Sequence, residues 1–139
     1  MAINPNFAPL YATRGVAENS ISRFEQAKSD LQLAMRLSPR DPEIGFRHNQ
    51  LGNIEPNLGH FDAAIDEYHR AIDAGFRTFI PYVDLAAAYA LEGKMEEGKL
   101  PLAEARRLNP KLTVKWLMAH APNLPILFDG LRRAGLPEE

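Results

Sequence analysis

Cysteine is absent from the 139 residues, which excludes disulfides, thiolate metal sites and a cysteine nucleophile. That absence suits a cytoplasmic location. No apolar run approaches the ~18 residues needed to span a bilayer, and no signal peptide is visible. Charge is balanced: 16 Lys and Arg face 18 Asp and Glu, a net charge of −2. A pI near 6.1 offers no field to attract nucleic acid or an anionic membrane, so neither is expected as a partner. Glycine-rich phosphate loops and a Gly-x-Ser-x-Gly element are missing too. What remains is ordinary for one folded domain with a real core: 45% hydrophobic and 24% charged residues.

The sequence instead repeats itself. Slid by 34 residues, Gly59 falls on Gly93, Tyr68 on Leu102, Ala71 on Ala105 and Phe76 on Pro110. His48 falls on Tyr82, and Tyr82 on Trp116. A weaker copy lies upstream at a spacing of 37, with Gly15 on Gly52, Phe24 on Phe61, Ala27 on Ala64, Leu31 on Tyr68 and Ala34 on Ala71. The extra residues fit a longer loop around Pro39-Arg40-Asp41-Pro42. The clearest copy reads Leu85, Ala86, Tyr89, Gly93, Ala105, Pro110. This pattern resembles the tetratricopeptide repeat, with one helix-turn-helix in each ~34 residues. The resemblance implies an all-α fold, a right-handed superhelix of about three repeats plus a C-terminal capping helix pair. The expected parse is a single domain over 1–139, with repeat one at 6–40, repeat two at 45–78, repeat three at 79–112 and a partial repeat and cap at 113–139.

One helix pair cannot hide its apolar faces alone, so successive pairs stack into a continuous core. Small residues such as Gly52, Ala64, Ala71, Ala86 and Ala105 permit close approach, and Phe61, Tyr68, Tyr82, Tyr89, Leu102 and Trp116 fill the spaces between. The periodicity predicts helices over 7–19, 22–37, 42–55, 61–74, 79–92, 95–108, 112–120 and 124–134. Gly59 and Gly93 are expected in left-handed C-caps. Pro56 is expected to end its helix early, near Ile54 or Glu55, and Pro101 to kink its helix or to lie near its start. Glu55 takes a position where the repeat usually holds a buried Tyr. Pro5 lies 34 residues before Pro39, so the chain is expected to begin in mid-array. The segment from Asn123 through Leu127, Phe128 and Leu131 to Gly135 is expected to cap the other end.

Nothing points to catalysis, a cofactor or a metal. The histidines at 48, 60, 69 and 120 lack HxxxH or HExxH spacing and are read as structural or surface residues. Asp62, Asp66, Glu67 and Asp73 follow one helix as a solvated face, where Asp66 can pair with Arg70. Lys94, Glu96, Glu97 and Lys99 form a similar mixed cluster.

The informative surface is the groove that the first (A) helix of each repeat lines. In tetratricopeptide proteins positions 2, 5, 9, 12 and 13 usually face it. Carried onto this chain, these are Pro9, Ala12, Val16, Asn19 and Ser20 in repeat one, and Phe46, Asn49, Asn53, Pro56 and Asn57 in repeat two. Repeat three supplies Ile80, Val83, Ala87, Ala90 and Leu91. The result is an apolar floor with an asparagine ladder, Asn49-Asn53-Asn57. Asparagine both donates and accepts, so such a ladder can hold the backbone of an extended peptide. The alternative is an Asn-rich helix surface with no ligand, or one covered by the chain's own C-terminal helix. Relatives that clamp the acidic C-terminus of chaperones use Lys and Arg beside Asn in this groove. Here those positions carry no Lys or Arg, and Asp84 would repel a carboxylate.

Leu37-Ser38-Pro39-Arg40-Asp41-Pro42 and Gly130-Leu131-Arg132-Arg133-Ala134-Gly135-Leu136-Pro137 resemble the C-terminal repeat regions of bacterial multidomain regulators, notably class III adenylate or guanylate cyclases. The implied function is a non-catalytic interaction module that binds a protein or peptide partner, with any catalytic activity upstream. The competing expectation is a structural spacer or homodimerisation element whose groove is filled in cis.

Overall fold

The computed structural model describes residues 8–20, 23–120 and 125–139, with side chains described except at 16–20 and 125–126. Pro5, Asn123 and Leu124 therefore lie outside the described residues, as do the side chains of Val16, Asn19 and Ser20. Eight α-helices follow in order among the described residues: α1 (Ala8–Ser20), α2 (Phe24–Leu37), α3 (Ile44–Ile54), α4 (Phe61–Asp73), α5 (Phe79–Leu91), α6 (Met95–Leu108), α7 (Val114–His120) and α8 (Pro125–Ala134). There is no strand among them. Helices α1 and α2, α3 and α4, and α5 and α6 pack as pairs, and α2 meets α3 as α4 meets α5.

Local chemistry sets the helix ends. Proline lacks the N–H that an α-helix interior needs. Helix α3 accordingly stops at Ile54, and Glu55–Leu58 tightens into a 3₁₀ turn with Pro56 in its first positions. Gly59 (φ 77°) and Gly93 (φ 82°) take the left-handed conformation just past their helices, as the C-cap expectation requires. Thr78 caps α5, its hydroxyl accepting from the Ile80 N–H at 3.3 Å. Pro101 lies inside the helix expected over 95–108. Helix α6 begins at Met95, well before it, and runs through the proline to Leu108.

Three apolar clusters form the core. Ala12, Ala27, Leu31, Ala34, Leu51 and Ile54 join the first pair to the second. Ala64, Ile65 and Tyr68 meet Leu85 and Ala88 across the next junction. The largest cluster joins α5 and α6 to α7, α8 and the tail through Val83, Ala87, Leu102, Ala105, Leu117 and Leu131, among others. Close approach needs glycine in the middle of the chain: a Cβ on Gly52 would lie 2.5 Å from Tyr68 Cε1. The Tyr68 ring is fully buried there, and its hydroxyl donates to the Gly52 carbonyl (3.1 Å) or to Asn53 Oδ1 (2.8 Å).

Glu55, where the repeat pattern calls for Tyr, is 2% exposed and carries a charge inside the fold. A charge there needs a partner. Lys28 from α2 reaches it at 2.8 Å and His60 Nδ1 at 2.9 Å, tying the first pair to the turn after α3.

Candidate interaction face

Helices α1, α3 and α5 are the first members of their pairs. The groove residues expected from the sequence lie on them in three different environments. Phe46 near the start of α3 is exposed and meets Phe76 edge-on, with ring centroids 5.4 Å apart. Asn57 is exposed, its amide donating to the Asn53 carbonyl at 3.3 Å. Pro9 on α1 is exposed as well, Ile80 on α5 is half-buried, and Ala12 on α1, expected in the groove, is instead packed into the core.

Asn49 and Asn53 face inward commitments instead. Asn53 is half-buried, and its Oδ1 accepts from the Tyr68 hydroxyl. Asn49 is 2% exposed, and its Nδ2 donates to Asp84 Oδ2 on α5 at 3.0 Å. Asp84 is equally enclosed. Burial pushes its carboxyl up to about 7, with the Asn49 hydrogen bond pulling the other way. The Tyr68 phenol is pushed well above its usual range by its own burial and then by Asp84. This pair joins the second helix pair to the third across the expected groove. It went unrecognised in the sequence, although Asn49 and Asp84 stand one residue off the 34-residue period and so belong to facing turns of successive A helices.

On α5, Val83 and Ala87 are buried in the cluster that contains Leu127, Phe128 and Leu131 of α8. Gly130 marks the crossing, because a Cβ there would sit 2.5 Å from the Ala87 carbonyl oxygen and 2.8 Å from Leu91 Cγ. The tail then returns to α7, where the Val114 and Lys115 N–H groups donate to the Pro137 and Glu138 carbonyls, both at 2.9 Å. These bonds satisfy donors that a helix start leaves unpaired. The expected face is thus continuous in sequence but divided in space. Of its α1 and α3 part, Pro9, Phe46 and Asn57 meet solvent while Ala12, Asn49 and Pro56 are buried, and on α5 Val83 and Ala87 are covered by α8.

Solved structures share this architecture. The first TPR of Spaghetti (RPAP3), bound to an HSP90 peptide, matches with a TM-score of 0.73 at 16% identity, over 95% of this chain and 93% of that one. The fold is the tetratricopeptide-repeat superhelix. The Yersinia enterocolitica type III secretion chaperone SycD, in complex with a peptide of the translocator YopD, matches at 0.70 and 14% identity, over 91% of this chain and 93% of that one. PcrH in complex with the chaperone binding region of PopD matches at 0.69 and 14% identity, over 96% and 94%. No protein-family model and no curated protein matches the sequence.

The histidines are spoken for within the superhelix. His48 Nδ1 lies 2.7 Å from Glu67 Oε2, His60 adjoins Glu55, and His69 Nε2 lies 3.2 Å from the Tyr89 hydroxyl. His120 stacks on Trp116 at 3.9 Å. Among the described residues no group of His, Asp and Glu is gathered to hold a metal ion, and no helix is long and apolar enough to cross a membrane.

Proposed function

We propose that this chain is a non-catalytic interaction module that takes a protein or peptide segment on the A-helix face of α1 and α3. The observation that carries the reading is Phe46: a large apolar side chain, 39% exposed, on the face that the repeat devotes to ligands. Pro9 on α1 and Asn57 just past the end of α3 are expected groove positions that are likewise exposed and uncharged. Three proteins of this fold are seen with peptides or partner segments bound, which supports the same use here. An acidic C-terminal peptide is the wrong ligand for this face, since its expected groove positions carry no Lys or Arg to pair with a carboxylate, while Asp84, which the sequence offered as a repelling charge, is buried against Asn49. An apolar segment of neutral charge, with backbone groups free to meet Asn57, fits better.

The two cyclase-like phrases support a larger bacterial regulator as the parent. The intact mass of the endogenous protein tests that part, and a species near 15.6 kDa contradicts it.

Partner capture by Phe46→Asp and Asn57→Ala, compared with wild type and Leu100→Asp, tests the binding face. Leu100 is 81% exposed on α6 and serves as a surface control. The reading expects capture to fall for the first two and to persist for the control, with helical content unchanged throughout. Equal capture by all four proteins contradicts it.

A second reading has its own observation. With α8 seated on α5, part of the groove is filled in cis, as a spacer or homodimerisation element would have it. Loss of capture on Phe46→Asp with self-association unchanged excludes that reading as the main role.

A further inference from the structure

Most cations of this chain are matched to a carboxylate. Arg47, Arg70 and Arg107, for example, reach Glu43, Glu67 and Glu104 at 3.5, 2.6 and 2.6 Å. Those with no ion pair among the described residues are Arg23, Arg36, Arg40, Arg77, Arg106 and Lys111. All but Arg23 gather at one end of the superhelix. Arg36 and Arg106 stand in the last turns of α2 and α6. Arg40, Arg77 and Lys111 stand in the loops that lead into α3, α5 and α7.

These last three are exposed and in register. Arg77 follows Arg40 by 37 residues and Lys111 follows Arg77 by 34, the two spacings of the repeats. Each lies past the last helical turn, where the helix dipole no longer rewards a cation. Their loops are neighbours. A Cβ on Gly45, at the start of α3, would sit 3.0 Å from Phe76 Cβ in the loop before α5. Phe79, which opens α5, meets Trp116 of α7 with ring centroids 5.6 Å apart. Arg77 bonds only the Ile72 carbonyl, through Nε at 3.3 Å, which leaves both terminal nitrogens for another acceptor.

The chain itself shows how an acidic strand is held at this end. Its tail runs back over the start of α7, with the Pro137 and Glu138 carbonyls on backbone N–H groups. The Glu138 carboxylate accepts from Arg132 at 2.6 Å, and that of Glu139 from Lys115 at 3.2 Å. Lys115 stands four residues after Lys111, so the tail lies at one end of the row. Arg40, Arg77 and Lys111 continue that row with the same kind of donor and no carboxylate of their own.

We propose that Arg40, Arg77 and Lys111 form a docking edge for an extended acidic segment of a partner protein. This edge lies outside the uncharged A-helix face and serves a different segment. Asn49 on α3 bonds directly to Asp84 on α5, so these A helices lie side by side. Packed helices are spaced by roughly 10 Å, and an extended chain advances about 3.3 Å per residue. The edge therefore matches an acidic residue at every third position. With a net charge of −2 on the whole chain, the attraction is local to this edge and weakens with salt.

Fluorescence anisotropy on the full chain tests the edge, at about 50 mM salt. The probe is a labelled peptide of Glu-Thr-Ser repeated four times. Binding should be saturable and should weaken at least about tenfold when Arg40→Gln, Arg77→Gln and Lys111→Gln are combined. Arg23→Gln, Lys94→Gln and Lys99→Gln together remove the same charge elsewhere, and binding should hold within about twofold. Arg77→Gln alone removes the middle rung and should weaken binding about threefold. That single variant decides the matter if the triple variant loses helix. Several results overturn the proposal: no binding by wild type, equal losses in the two triple variants, or equal binding of a peptide with its four glutamates contiguous. Tighter binding of a twelve-nucleotide oligothymidylate than of the peptide overturns it too. The Phe46 and Asn57 comparison uses no acidic probe, so the A-helix reading and this one fail separately.

Discussion

Asn49 and Asp84 are joined inside the protein by one hydrogen bond, Nδ2 to Oδ2 at 3.0 Å, while Asn49 Oδ1 has no partner. A protonated Asp84 carries the O–H that this oxygen lacks. Burial favours that neutral form and raises the carboxyl from 3.8 to about 7. In the unfolded chain Asp84 ionises above its ordinary value, while in the folded chain it keeps its proton until about 7. Its contribution is therefore full at low pH, declines as pH rises between these two values, and is lost above the higher one. Asp84→Asn supplies both the acceptor and the donor at every pH. We expect this variant to be more stable than wild type at pH 8, with the difference shrinking steadily toward pH 4. Urea unfolding of both proteins across that range measures it; a difference that is constant with pH refutes the account of the pair.

Glu55 makes a different prediction because its charge is paired. Lys28→Met leaves the buried carboxylate with His60 alone, at a cost of about 1–3 kcal/mol for an unsatisfied group. Combining it with Glu55→Leu removes the charge as well and should recover most of that loss, as apolar replacement of buried pairs often does. A double variant as unstable as Lys28→Met alone would show that the pair itself, and not its desolvation, holds this junction.

Gly52 and Tyr68 test packing. Gly52→Ala places a methyl group 2.5 Å from the Tyr68 ring, and overpacking of this kind costs about 1–3 kcal/mol. In the background Tyr68→Leu, where the ring is gone, the same Gly52→Ala change should cost much less. Thermal melts of the four proteins close the cycle, and additive losses argue against a direct clash.

Pro101 interrupts the α6 ladder at a partly buried position. Pro101→Ala restores one backbone hydrogen bond and removes a clash worth up to about 3 kcal/mol. Greater freedom of the unfolded chain takes back about 0.4–1 kcal/mol. The melting temperature should rise, and an unchanged or lower value means that α6 has already accommodated the proline.

Much of the superhelix was legible because repetition repeats its physical causes. Gly59 and Gly93 recur at helix ends for one reason, positive φ, and Ala64, Ala71, Ala86 and Ala105 recur where helices touch. Pro56 foretold the end of α3 at Ile54. The ligand face was less legible, since position in a repeat says which way a residue points and not what covers it. Val83 and Ala87 point as expected, yet α8 lies on them, a contact set by packing between segments some 40 residues apart. Gly130, a glycine inside an apolar stripe, was the one available sign of that crossing. Asn49 likewise looks like a free ladder residue in the sequence, because nothing local shows that Asp84, 35 residues on, turns inward to meet it.

The central claim is that partners meet this protein at the exposed face of α3. A photo-reactive phenylalanine analogue at position 46 of the full chain, compared with the same analogue at position 100, tests it most directly. The account predicts discrete protein adducts from position 46 that are lost when Asn57→Ala is added, and none of those adducts from position 100. Identical adducts from both positions, or none from either above background, would contradict it.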